Sequence, residues 1–151
     1  MQVNIELIKW CFFVEIEFDD IVVGAGVIRT PVKEDDAVRL LTIYEELIDI
    51  VTSTKPQIMS VEKLFFAQNV TTAMTVAQAR GVVLLVGQQN GLELHEYTPL
   101  QIKQAITGYG RADKKQMQEM VRVILGLVEA PKPDDCADAL AAALCCAQSV
   151  R

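Results

Sequence analysis

Three things are missing from this 151-residue sequence. It has no stretch of about 18 apolar residues free of charge, so no segment reads as a membrane-crossing helix. Its four cysteines, Cys11, Cys136, Cys145 and Cys146, form no C-x-x-C pair and two of them are adjacent, which argues against zinc ligation. They read instead as buried reduced thiols of a cytosolic protein. It also lacks an excess of positive charge: the net charge is −6, which at first argues against a nucleic-acid partner. The N-terminal stretch MQVNIELIKWCFFVEIEF carries acids inside its apolar part and no small-residue cleavage site, so it does not read as a signal peptide. No internal repeat and no low-complexity linker interrupts the chain. The expectation from these absences is a cytoplasmic protein with no membrane partner.

What is present is a core-former. Hydrophobic residues make up 51% of the sequence, enough for a globular fold without disulfide staples. The length suits one domain over residues 1–151. The charge is also unevenly spread. Residues 1–55 hold 11 acids against 5 bases, whereas residues 56–151 hold 9 of each. Five bases, Lys103, Arg111, Lys114, Lys115 and Arg122, fall in one window with Asp113 and Glu119. A local basic face is therefore compatible with an acidic protein, and so is an ordinary mixed-charge helix surface.

Hydrophobic periodicity predicts strands over 11–18 and 21–29, linked by Asp19-Asp20, and a further strand over Met1 to Ile8. A helix is expected from Asp35 or Asp36 to Thr54, with Ala37, Leu40, Leu41, Tyr44, Leu47, Ile48 and Val51 on its apolar face. Beyond Lys55-Pro56 come a short buried strand ending at Glu62, a helix over 69–89 stopped by Asn90-Gly91, and a strand over 93–97. Pro99 suits the first turn of a helix that ends near Gly108. Asp113 with Gln116 forms a capping-box pattern for a helix to about Leu127, and Asp134 opens an alanine-rich helix to about Gln148. A strand meander followed by strand–helix alternation implies an α/β fold, a mixed sheet with helices on its faces.

Three acids carry the chemical signal. Glu62 ends a strand, where α/β folds place ligands, although a strand-end charge is the plain alternative. Asp135 and Asp138 are three apart and share one helix face. Asp135 is also explained as a helix N-terminal acid. Asp138 lies a turn further in, among alanines and leucines, where a buried carboxylate is costly and a divalent cation would neutralise it. Phosphodiester hydrolysis with two Mg²⁺ ions needs such carboxylates, converging from different elements. Phe65 and Phe66 by themselves read as ordinary core aromatics, and the GYG run at 108–110 before Lys114 is by itself a weak phosphate-binding pattern.

The segments SVEKLFFAQN (60–69), AQARGVVLL (77–85), YTPLQIKQAITGYGRADKKQMQEMV (97–121) and PDDCADALAAAL (133–144) resemble the RuvC family of Holliday-junction resolvases, in the same order and at the same spacing. The resemblance runs from about Val23 to Gln148. It implies a ribonuclease-H-like fold and a metal-dependent endonuclease that nicks opposed strands of four-way DNA junctions in recombination and repair. It implies that Glu62, Asp135 and Asp138 are the catalytic metal ligands for Mg²⁺, or alternatively Mn²⁺. Phe65 would stack on a base near the crossover, and Lys103 and Lys114 would lie near the scissile phosphate. It further implies a homodimer built on the helix after Phe66, and association with a junction branch-migration complex.

The front of the chain departs from the family. The family's first strand ends in Asp-Pro-Gly, whereas residues 1–23 here contain neither glycine nor proline, and the first aspartate is Asp19. Glu6, the only acid near the end of the expected Met1 to Ile8 strand, is weighed as a surrogate for the family's first-strand aspartate against the plainer reading of a polar-face residue beside Gln2 and Asn4. Three functions are therefore weighed: a junction-cutting nuclease, a junction-binding protein impaired in cutting, and a small-ligand or protein-interaction module on the same fold. Phe65, Lys103 and Lys114 disfavour the third, since fold alone would not settle it.

Overall fold

The computed structural model describes residues 8–16, 19–31, 33–63 and 70–150. The strand expected over Met1 to Ile8 lies outside these residues except for Ile8, and Glu6 lies outside them too. The elements run in the order β1 (Ile8–Ile16), β2 (Asp19–Ile28), α1 (Asp36–Thr54), β3 (Ile58–Glu62), α2 (Val70–Gln89), β4 (Glu93–Tyr97), α3 (Pro99–Thr107), α4 (Lys114–Ile124) and α5 (Asp134–Val150).

Among the described residues the strands pair two by two, β1 with β2 and β3 with β4. The short link between β1 and β2 allows only an antiparallel hairpin. Asp19 and Asp20 were expected in the turn but begin β2. β3 and β4 run parallel. The Gln57 carbonyl accepts from the Glu93 N–H at 2.8 Å, and the Tyr97 carbonyl accepts from the Lys63 N–H at 2.8 Å, so both strands advance together. The crossover between them is α2, as a parallel pair requires.

The chain forms two compact units. In the first, which includes Ile28–Met59, α1 packs on α2. Its buried stripe is Arg39, Ile43, Leu47 and Val51, a spacing of four. The expected stripe was rotated from this: Ala37 is exposed and Leu41 is 54% exposed. Arg39 can be buried because its Nε donates to Thr30 Oγ1 at 3.0 Å, so the guanidinium is not left unsatisfied. Close packing also reaches Gly87 of α2. A Cβ there would come within 2.6 Å of Leu94 Cδ2 and 3.0 Å of Met59 Sδ.

The second unit holds Ser60–Lys63 and His95–Arg151, with Lys9–Val27. Its core is α5 against α3 and α4, with Leu140, Leu144 and Val121 almost fully buried. Alanines at 137, 141 and 142 let these helices approach closely. The expected capping box is present: Asp113 Oδ1 accepts from the Gln116 N–H at 2.8 Å and Gln116 Oε1 accepts from the Asp113 N–H at 2.9 Å. A second box, Thr98 with Gln101, starts α3 beside Pro99. The T-x-x-Q pattern could have revealed it in the sequence.

Candidate active site

A cleft of about 240 Å³ opens in the second unit, lined by Glu62, Lys103, Lys114 and Asp138 over a floor that includes Ile102 and Met117. Each polar residue arrives on a different element. β3 delivers Glu62 as its last residue, α3 carries Lys103, α4 begins with Lys114, and α5 holds Asp138 one turn from its start. The link between β3 and α5 is direct: Ser60 Oγ donates to the Ala142 carbonyl at 2.9 Å. Side chains alternate along a strand, so Ser60 and Glu62 point to the same side. On a helix, positions four apart share a face, so Ala142 and Asp138 do too. Glu62 and Asp138 thus lie on the sides of β3 and α5 that carry this bond, and both line the cleft.

Four of the six residues singled out in the sequence therefore line one cavity. Asp135 is not among the lining residues; it is half-buried on α5, a turn before Asp138. Asp138 is half-buried, not sealed in the Ala/Leu core as its sequence neighbours suggested. Phe65 lies outside the described residues, as does Phe66. Among the described residues no group of three or more His, Cys, Asp or Glu is placed to hold a metal ion. The donors that do line the cleft, two carboxylates with hard oxygens on an open, water-accessible wall, fit a cation of the Mg²⁺ type, which keeps part of its hydration shell.

A further residue, not singled out in the sequence for chemistry, stands beside the cleft. Asp134 Oδ2 lies 3.2 Å from Lys114 Nζ. The Lys114 ammonium, with a further hydrogen bond from the Gln118 side chain, holds the Asp134 carboxyl below the usual carboxylate range. The two residues are far apart in sequence and on different helices, so no local pattern announces the pair. On the outer side of α4, Arg122 makes two hydrogen bonds to Glu119, at 2.6 and 3.0 Å, and lowers the Glu119 pKa in the same way.

The thiols behave as expected from their burial. Cys136, Cys145 and Cys146 are buried and form no disulfide. Burial pushes the Cys136 thiol up, helped by the nearby Asp135 charge, and burial raises Cys145 as well. No helix of the described residues is long and apolar enough to cross a membrane.

A parallel β–α–β unit with a strand-end carboxylate, facing a helix-borne carboxylate across a lysine-flanked cleft, belongs to the ribonuclease-H-like class of α/β proteins. Residues 17–146 match the family described as crossover junction endodeoxyribonuclease RuvC, and the chain belongs to that family, one of metal-dependent nucleases. A protein of that description from Heliobacterium modesticaldum is 57% identical over 125 residues, covering 83% of this chain and 77% of the relative. Its counterpart in Caldicellulosiruptor saccharolyticus is 52% identical over 124 residues, covering 82% and 75%. The solved structure of Thermus thermophilus RuvC superposes with a TM-score of 0.81 at 33% identity, covering 95% of this chain and 86% of that one. Thermus thermophilus RuvC in complex with a Holliday junction substrate superposes at 0.84 with 35% identity, covering 91% and 84%. These comparisons give no support to the reading of a family member impaired in cutting.

Proposed function

We propose that this chain is a Holliday-junction resolvase, a single nuclease domain that nicks opposed strands of four-way DNA junctions in the cytoplasm during recombination and repair. The observation that carries the reading is the convergence of Glu62 and Asp138 with Lys103 and Lys114 on one cleft. Two acids and two bases in a single groove suit a cation and a phosphate held side by side. Membership of the family and the junction-bound state of a structural relative support the choice of substrate.

In this reading Glu62 and Asp138 hold the divalent cation, with Asp135 as a further carboxylate on the same helix. The ion is Mg²⁺, with Mn²⁺ as the alternative. When bound, it supplies activation of water and stabilisation of the leaving oxygen. The chain's own residues do the rest. Lys103 and Lys114 bind and orient the backbone phosphate, and the apolar floor of Ile102 and Met117 excludes bulk water from one side. Phe65 stacks on a base at the crossover.

The partner copy is a second chain, giving two sites for two strands. Met74, Ala77, Gln78, Gly81 and Leu85 are exposed on α2 at helical spacing, with Met74 62% and Leu85 51% exposed, and nothing lies within 4 Å of a Cβ built on Gly81. A symmetric helix–helix contact would cover this face. A branch-migration complex is the further partner that the family implies.

The test is cleavage of a synthetic four-way junction with Mg²⁺ or Mn²⁺, beside linear duplex of the same sequence. The expected result is paired, symmetric nicks in the junction alone, lost in Glu62→Gln and in Asp138→Asn. Cleavage that is absent, or equal on junction and duplex, overturns the reading. Sedimentation at micromolar concentration checks the dimer, with a purely monomeric species overturning it.

A further inference from the structure

We propose that Asp134 is a positioning residue that acts through Lys114: its carboxylate serves as an intramolecular counter-anion that a junction phosphate displaces when DNA enters the cleft. The inference rests on the reading of that cleft as the junction-binding site.

Lys114 occupies the first position of α4 and Lys115 the second. Cations there oppose the helix dipole, whose positive end lies at the N-terminus. The nearest local acid, Asp113, is already engaged in the capping box, with its Oδ1 accepting from the Gln116 N–H at 2.8 Å. The compensating charge comes instead from another helix, where Asp134 opens α5 and sits 3.2 Å from Lys114 Nζ. Both side chains remain more than half exposed, 55% for Lys114 and 60% for Asp134, so the pair is open to exchange with a solute anion.

The geometry of the cleft gives this pair a consequence. Lys114 lines the cleft and Asp134 does not. The carboxylates within the cleft are Glu62 and Asp138, the residues assigned to the cation. Asp134 keeps the Lys114 ammonium engaged outside the cation's ligand set. A phosphate arriving at the mouth of the cleft offers the same hydrogen-bond acceptors with more negative charge, and it faces two helix N-termini as well as the ammonium. The exchange leaves Lys114 on the phosphate, with Asp134 returned to water.

The experiment is a double-mutant cycle on junction affinity, measured without a cleavage-supporting metal. The proteins are the wild type, Asp134→Asn, Lys114→Met and the double variant, with Asp134→Glu as the conservative control. Freed of its internal partner, Lys114 should bind the junction more tightly in Asp134→Asn, by about two- to fivefold, the span of an exposed ion pair. The gain should vanish in the Lys114→Met background, and Asp134→Glu should bind as the wild type does. Equal tightening in both backgrounds would show that Asp134 acts only as general negative charge and would overturn the proposal, as would no tightening in either. If Lys114→Met alone leaves affinity unchanged, the assignment of the cleft to junction binding has failed, a result distinct from failure of the Asp134 coupling.

Discussion

Ser60 and Ala142, 82 residues apart in sequence, are joined by a side-chain hydrogen bond of 2.9 Å that registers β3 against α5. The strand carries Glu62 on the same side as Ser60, and the helix carries Asp138 one turn before Ala142. Ser60 thus joins the two elements that bring the cleft acids together while lining no part of the cleft itself.

Replacing Ser60 with Ala should cost about 0.5–1 kcal/mol of stability, the worth of one neutral hydrogen bond whose acceptor lies inside a helix. Urea unfolding measures this directly. Cleavage should fall by more than the small loss of folded protein accounts for, because β3 loses its register on α5. A variant destabilised as expected but fully active would show that register does not set the acid spacing.

Lys103 and Lys114 should each contribute to the salt dependence of junction binding. Changing either to Ala should reduce the slope of log affinity against log salt by about 0.9, the counterion release of one duplex phosphate contact. Titrations over a range of salt concentrations check this. An unchanged slope in both variants would make them ordinary surface charges.

Gly87→Ala tests the packing of the first unit. The added methyl would meet Leu94 Cδ2 at 2.6 Å and Met59 Sδ at 3.0 Å, so both side chains must move. Because both contacts are with the far ends of flexible side chains, the cost falls toward the low end of the roughly 1–3 kcal/mol that core overpacking brings. The expected result is a lower unfolding midpoint with unchanged secondary structure by circular dichroism. A midpoint equal to the wild type would mean that the leucine rotates away freely.

The buried thiols predict an alkaline limit to stability. Folding raises the pKa of Cys136 and Cys145, chiefly by burial, so the unfolded state gives up these protons at lower pH than the folded state does. The stabilisation is complete below the unfolded thiol pKa of about 8.5 and is lost as pH rises through the folded value. Unfolding free energy should therefore decline above that pH, and decline less in Cys136→Ala. A wild type whose stability does not fall between neutral pH and pH values above the unfolded thiol pKa would contradict this.

The sequence by itself determined the elements whose signals are local. Helix starts at Asp113 and Pro99, the stop at Gly91 and the strand over 58–62 rest on capping, backbone and periodicity rules that act within a few residues. The acids at 62, 135 and 138 were visible for the same reason, by position on a strand end and a helix face. Asp19 and Asp20, expected in a turn, are instead the first residues of β2, where backbone pairing overrides the local turn preference of aspartate. The buried face of α1 was rotated because Arg39, polar by type, is satisfied by Thr30 and packs inward.

Only the tertiary structure decided which acids share a cavity and which cation answers which carboxylate. Glu62 and Asp138 line one cleft on elements joined by the Ser60–Ala142 bond, and Lys114 finds Asp134 across two helices. Both contacts join residues far apart in the chain. Charge and hydrogen-bonding capacity are written in each residue type, but the distance between two such groups is set by how helices and strands pack, and no short window of sequence contains it.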